Sequence, residues 1–401
     1  MTKEKAIIIF TVAIDVLGLG IIIPVFPVYV ESFGLTALNV TMLFSIYSFF
    51  SFMSAPFLGA LSDKIGRKPV LLVSIFSTSI GWLIFSLARS FPLLIVGRVI
   101  DGLAAGNYST AQSSLSDISK DSKDRASNLG ILGMIFGFGF IVGPFIGGVL
   151  SRISHATPFY FVAGLAFINV ILAYFFLPET NIHIDKSKKI KWNPLKPLYA
   201  AFTNKKLKRV YFVWFLFNLI AVAGNSIFAL YLAKIFGFNA FISGLFFMMV
   251  GIILAVNQGF LMRKFWLEKF NERTLILLML GFFSIGFLLI CIHSLPLFIL
   301  GTILNAFGQS ILTVVMTSEI VGEAHVSERG ESLGVLNAIS SSATIAAPIL
   351  AGSLFQSHVL LPYIICSILS FIALLIMRGY KFSKNPQIVD ATTVLPEEVV
   401  I

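Results

Sequence analysis

Apolar residues run through this chain in long, nearly unbroken stretches. They show neither the alternation of a half-buried strand nor the polar face of a soluble amphipathic helix. A stretch of roughly 20 mostly apolar residues spans the hydrocarbon core of a bilayer. Six such stretches occupy Ala6–Val30, Val40–Leu61, Val70–Ala88, Leu93–Leu115, Leu129–Leu150 and Pro158–Leu177. Six more occupy Val210–Ala233, Ile242–Met262, Thr274–Ile292, Pro296–Thr317, Leu333–Phe355 and Leu360–Met377. The pattern predicts an all-α membrane protein with twelve transmembrane helices. The first stretch is no cleaved signal peptide. It is too long for a signal h-region, carries Asp15 at its centre and lacks a small-residue cleavage site.

Composition agrees with the pattern. Of 401 residues, 57% are hydrophobic and 12% charged, and the mean hydropathy is +0.93. Soluble domains carry about 25% charge, so an ordinary water-facing surface cannot be built from this chain. The net charge of +10 invites a nucleic-acid reading, but the cations are confined to alternate loops. With a cytoplasmic N-terminus, all Lys and Arg fall on the inner side except Arg89, Arg152 and Lys234 outside and Arg98 within a span. That is the positive-inside pattern. It predicts that both termini are cytoplasmic and removes nucleic acid as a partner. Cys291 and Cys366 lie in apolar stretches and read as small core hydrophobes, with no metal site implied.

The longest polar stretch, Pro178–Arg209, separates the sixth and seventh spans. It divides the chain into a six-helix bundle at 1–180, a cytoplasmic linker at 181–208, a second bundle at 209–378 and a cytoplasmic tail at 379–401. An internal repeat supports the division. Arg125 to Gly130, leading on to Pro144 and Gly148, recurs 204 residues later as Arg329 to Gly334, leading on to Pro348 and Gly352. Repeats of this kind build a central site between two helical bundles.

A charge at mid-membrane costs about 2.5–3.5 kcal/mol on insertion scales. Three such charges are present: Asp15 in span one, and Arg98 and Asp101 in span four. Arg98 and Asp101 stand three apart on one helix face. At about 1.5 Å per residue, Asp15 lies roughly 14 Å and Asp101 roughly 21 Å above the inner edge, so one centre can hold all three. One arginine neutralises one carboxylate, which leaves the other free to take a proton near neutral pH. Asp15 is the favoured carrier and Asp101 the favoured partner of Arg98. The alternative is a static ion pair locking span four to span one. Asn107, Thr110 and Gln112 continue a polar stretch along span four.

The short loop Gly59 to Pro69 contains Asp63, Gly66, Arg67 and Lys68. Its glycines permit close approach or unusual dihedrals, and Asp117 at the inner end of span four is a natural partner for Arg67. This loop resembles the signature loop between spans two and three of the major facilitator superfamily. Gly18, Pro24 and Pro27 are similar to the span-one motif of its twelve-span drug:proton antiporters, and Gly97, Arg98, Gly102 and Gly106 to the span-four motif. Gly139, Gly143, Pro144, Gly147 and Gly148 match the span-five antiporter motif. The nearest resemblance within the family is to the tetracycline exporters, which carry acids and arginines where this chain has Asp15, Arg67, Arg98 and Asp117. Read without the family, the span-five glycines form a smooth stripe for close helix packing, with Pro144 bending the helix.

The resemblance implies a proton-coupled secondary transporter in a bacterial inner membrane, exporting a small amphipathic molecule such as a drug, antibiotic or siderophore-like metabolite. It implies a protein working as a monomer, driven by the proton gradient and needing no cofactor. Asp63, Arg67 and Asp117, with Gly59, Gly66 and Lys68, would form the conformational latch. The second half departs from the tetracycline exporters in having no acidic residue between Thr274 and Ile292, so a tetracycline–metal chelate is not the expected cargo. Its polar candidates for a substrate cavity are Asn218, Asn225, Gln258, Asn305 and Gln309, joining Asn107 and Gln112 of the first half. An uptake symporter of the same fold remains open on physical grounds. A membrane-embedded enzyme is disfavoured: the five His are scattered, and no metal-ligand cluster, nucleophile–base pair or phosphate loop is legible.

Overall fold

A computed structural model of the chain describes residues 3–181, 184, 193–203, 207–322 and 329–380. Most of the linker lysines, His183, His325 and the tail beyond 380 lie outside the described residues, as does the side chain of Arg329. Among the described residues the secondary structure is helical, without a strand. Among these residues, eleven helices are long and apolar enough to cross a membrane.

The twelfth expected span corrects a simple reading of the sequence. Span four is not one helix but two, α5 (Phe91–Leu103) and α6 (Asn107–Asp117), of 13 and 11 residues. Each alone is too short for the bilayer. The break falls at Ala104–Gly106, where the Gly106 N–H turns back to the Ala104 carbonyl at 2.7 Å. Small residues here give the helix little side-chain packing of its own, and a Cβ at Gly106 would meet Leu58 at 2.9 Å. Asp101 and the inner end of span four therefore lie on separate helices, and a straight-helix rise does not give the depth of Asp101. Span one is likewise interrupted, as α1 (Lys3–Ile22) and α2 (Phe26–Glu31), because Pro24 supplies no N–H to the ladder and sits in the connecting turn. The remaining spans of this half are α3 (Ala37–Ile65), α4 (Arg67–Leu87), α7 (Ser122–Leu150) and α8 (Thr157–Phe176).

The described helices fall into two compact units, one of Met1–Pro194 with Leu232–Met248, the other of Leu195–Tyr231 with Met249–Ile401. In the first, Ile8, Val12 and Val16 of α1 form a buried cluster with Leu71 and Ile75 of α4, Ala111 and Leu115 of α6, Leu132 of α7 and Ala173 of α8. A second, aromatic cluster joins Phe26 to Phe85, stacked at 5.1 Å between ring centres, and Trp82 to Phe159 at 5.8 Å. The Tyr29 hydroxyl caps this cluster by donating to the Phe85 carbonyl at 3.1 Å.

The second unit takes in α9 (Lys196–Thr203), a short helix not anticipated in the linker, and the greater part of α10 (Lys208–Phe236). The helix α11 (Ala240–Val256) passes into a π-helical segment, Asn257–Trp266, and a last turn, α12 (Leu267–Lys269). There follow α13 (Glu272–Ile290), α14 (Leu295–Gly322), α15 (Arg329–Ser357) and α16 (Leu361–Arg378). Trp214 of α10 donates through its ring N–H to the Leu336 carbonyl of α15 at 3.2 Å.

The repeat seen in the sequence has a structural counterpart. Gly97 of α5 rests on the Gly81 backbone of α4, and Gly301, 204 residues on, rests on the Gly286 backbone of α13. Arg125 and Arg329 stand in the first turns of the two long proline-containing helices, α7 with Pro144 and α15 with Pro348.

Candidate functional site

Within the first unit a cavity of about 280 Å³ opens among α1, α3, α4, α5, α6 and α8, lined by both Asp15 and Asp101. The two carboxylates are partnered differently. Arg98 and Asp101, one turn apart on α5, are each 4% exposed, and the guanidinium donates to Asp101 Oδ2 at 3.0 Å. The guanidinium also lies 4.3 Å from the Tyr47 ring and 4.5 Å from the Trp82 ring. Pairing and aromatic faces together compensate a charge that burial alone would make prohibitive. Asp15 Oδ2 instead accepts from the Asn107 amide at 2.6 Å. Among the described residues no Lys or Arg stands within ion-pair distance of it.

Asn107 begins α6, directly after the break in span four, and its amide reaches Thr78 of α4 at 3.3 Å as well. Thr78 lines the same cavity as Asp101. The sequence placed Asp15, Arg98 and Asp101 in one centre. In the structure Asp15 and Asp101 line one cavity, with Arg98 on Asp101 and Asn107, read from sequence only as polar lining, on Asp15. The structure adds Tyr47, Thr78 and Trp82, which sequence reasoning missed. Thr78 and Trp82 are one helical turn apart, but Thr78 stands among Ser74, Ser77 and Ser79 with nothing to distinguish it. Gln112, half-buried on α6, is not among the residues lining the cavity.

At the junction of α3 and α4, Arg67 joins three helices. Its Nε donates to Asp117 of α6 at 2.9 Å, and one terminal nitrogen reaches Asp63 at 2.5 Å and the Ser62 hydroxyl at 2.6 Å on α3. Gly66 has φ +106°, a conformation other residues resist, and a Cβ there would strike the Glu179 carboxylate. That carboxylate accepts from the backbone N–H groups of Arg67 at 2.8 Å and Lys68 at 3.1 Å, the first turn of α4. Glu179 is the residue that sequence reasoning left without a role. Its signal was a carboxylate just past the end of α8. Lys68 places its ammonium 5.9 Å from the Tyr174 ring. Gly59 differs from expectation: a Cβ there would meet nothing within 4 Å, so neither close approach nor unusual dihedrals require it. It is an ordinary helical residue whose carbonyl accepts from Ser62.

The span-five glycines do form a packing stripe. A Cβ on Gly143 would lie 2.6 Å from the Gly20 Cα on α1, Gly139 faces Val16, Gly147 faces Ile21, and Gly148 faces Phe241. The α7 helix remains continuous through Pro144. Gly18 receives Val162 of α8, and Pro27 opens α2.

The polar candidates of the second unit do not converge in the same way. Asn218 donates to its own helix at Trp214. Asn225 and Gln258 are exposed, Gln309 is half-buried, and the buried Oδ1 of Asn305 faces Gly286 without a hydrogen-bond partner.

Comparison with known proteins places this arrangement. The chain is 28% identical over 379 residues to the quinolone resistance protein NorA of Staphylococcus aureus, covering 90% of this chain and 92% of that protein. It is 27% identical over 368 residues to the class H tetracycline resistance protein of Pasteurella multocida, covering 90% of each. Among solved structures, the human organic anion transporter MFSD10 superposes with a TM-score of 0.70 at 21% identity, covering 94% of this chain and 99% of that one. The nucleoside transporter NupG superposes with a TM-score of 0.76 at 14% identity, covering 95% of this chain and all of that one. These two share the fold. The sequence model described as Major Facilitator Superfamily matches residues 8–266 and 259–394. Transmembrane helices, repeated halves and this match over nearly the whole chain lead to one assignment: the protein is a multi-pass membrane transporter of the Major Facilitator Superfamily.

Proposed function

We propose that the protein exports a small amphipathic molecule in exchange for protons. The observation that carries this reading is Asp15, a carboxylate lining a membrane-depth cavity and held by an amide rather than by a cation. A carboxylate of that kind gains and loses a proton without breaking an ion pair, as an energy-coupling group must. Arg98 is already committed to Asp101, which makes this pair the fixed charge reference beside a titrating group. The relatives named for quinolone and tetracycline resistance support a drug-like cargo and the outward direction. The aromatic lining from Tyr47, Trp82 and Tyr108 suits such a solute.

In this reading the halves at 1–180 and 209–378 alternate access about a central site, joined by the linker at 181–208. The cluster of Asp63, Arg67 and Asp117 latches one of the two states, with Glu179 holding the start of α4. The protein works as a monomer in a bacterial inner membrane, with both termini and the 379–401 tail cytoplasmic. The proton gradient drives it, and no cofactor takes part. The testing experiment is a screen of growth and accumulation in cells with and without the protein. Each hit is then assayed in vesicles under an imposed proton gradient. Expulsion against the proton flow supports antiport, and movement with the proton flow would make the protein a symporter.

A further inference from the structure

The cavity of the first unit is lined by two carboxylates on different helices, and one side-chain amide ties the first of them to Thr78 on the wall shared with the second. Asn107 Nδ2 donates to Asp15 Oδ2 at 2.6 Å and to Thr78 Oγ1 at 3.3 Å. Thr78 lines the cavity together with Asp101, one helical turn before Gly81, where a Cβ would lie 2.9 Å from the Asp101 Cβ, and Asp101 accepts from Arg98. Asn107 stands at the first position of α6 and Asp101 in the last turn of α5, so the path crosses the break at Ala104–Gly106. The remaining amide atom, Asn107 Oδ1, is buried and has no hydrogen-bond partner. The amide is therefore fully used on its donor side and idle on its acceptor side.

We infer that Asn107 is a positioning residue that senses the protonation of Asp15 and transmits it, through Thr78, to the Asp101–Arg98 pair. The inference rests on the reading of Asp15 as proton carrier. While Asp15 is ionised, the amide NH2 satisfies it and holds Thr78. A protonated Asp15 becomes a donor, and the idle amide oxygen is the acceptor placed to receive it. Presenting that oxygen turns the NH2 away from Thr78, whose hydroxyl then loses its donor and is free to turn towards Asp101. Because the span is broken between Asp101 and Asn107, α6 can shift with the amide without a continuous helical ladder resisting it. The charged or titratable groups facing this centre are Asp101 and Arg98 on α5, Tyr47 on α3 and Tyr108 on α6. Among the described residues, those of α4, α7 and α8 that line it carry no charged or titratable side chain. A purely structural Asn107 would satisfy Asp15 but would not make Asp15 answer to Thr78.

The test is an infrared pH titration of the full-length protein in lipid nanodiscs, following the carboxyl band that Asp15→Asn removes. Asn107→Ala is expected to move the midpoint to higher pH by about one unit, the effect of losing one hydrogen bond to a charged group. Thr78→Val, which changes no charge, is expected to move the Asp15 midpoint by about half a unit in the otherwise native chain. In the Asn107→Ala background it should produce no further shift, and Thr78→Ser should restore the native titration. Should Asn107→Ala fail to reach the membrane, Asn107→Ser, too short to bridge both partners, replaces it. A Thr78→Val shift of equal size in both backgrounds, or no shift in the native one, would overturn the inference. If Asp15→Asn removes no titrating band, the proton-carrier reading itself fails, which is a distinct result.

Discussion

Arg98 donates to Asp101 at 3.0 Å inside the helical bundle, each residue being 4% exposed, and Asp15 is left to an amide. Removing one partner of a buried pair leaves the other charge uncompensated, which costs about 3–5 kcal/mol. Asp101→Asn is therefore expected to lower the thermal unfolding midpoint of the purified protein sharply. Arg98→Met with Asp101→Leu should recover much of that loss while abolishing transport. The comparison of the single and double variants separates stability from mechanism.

Arg67 is held by carboxylates on two other structural elements, Asp63 of α3 and Asp117 of α6. Its planar fork serves both, and a lysine ammonium does not reproduce that geometry. Arg67→Ala is expected to reduce the transport rate about tenfold or more with little change in substrate affinity, and Arg67→Lys to recover only part of the rate. That factor of ten corresponds to about 1.4 kcal/mol on the switching barrier. Rate and affinity are read separately from initial transport and equilibrium binding. A selective loss of affinity would count against the latch.

Glu179 accepts from the first N–H groups of α4, at Arg67 and Lys68, where an acid also meets the favourable end of the helix dipole. Glu179→Ala removes this cap, at a cost of about 1 kcal/mol. Faster hydrogen exchange at the start of α4 is expected, with the rest of α4 unchanged. Unaltered exchange at residues 67 and 68 would show that the cap has no energetic weight.

Gly143 packs its backbone against Gly20, and a Cβ would lie 2.6–2.9 Å from backbone atoms of α1 that cannot rotate away. Gly143→Ala is expected to destabilise the protein by about 1–3 kcal/mol through overpacking. Gly137→Ala, on the same helix with no atom within 4 Å of the added carbon, should be close to neutral. Thermal unfolding of the two variants side by side checks the claim.

The sequence made much of this legible because bilayers impose simple rules. Apolar length located the spans, and the glycine spacing of α7 located the contact with α1. Mid-membrane charges located Asp15, Arg98 and Asp101. Other features were hidden for physical reasons. The interruption at Ala104–Gly106 carries no proline, so the residues alone did not separate a break from a helix with small side chains. Thr78 is one hydroxyl among several on α4, and only packing selects it. Glu179 caps a helix 112 residues away in sequence, a long-range relationship that no local pattern encodes. Asn218 satisfies its amide on its own helix, which a polar residue in an apolar run does not announce.

The most direct measurement is substrate movement in proteoliposomes under an imposed pH gradient, comparing the native chain with Asp15→Asn, each also assayed for exchange without a gradient. The account expects gradient-driven accumulation to disappear in Asp15→Asn while exchange of substrate across the membrane persists. Undiminished accumulation by Asp15→Asn would contradict it.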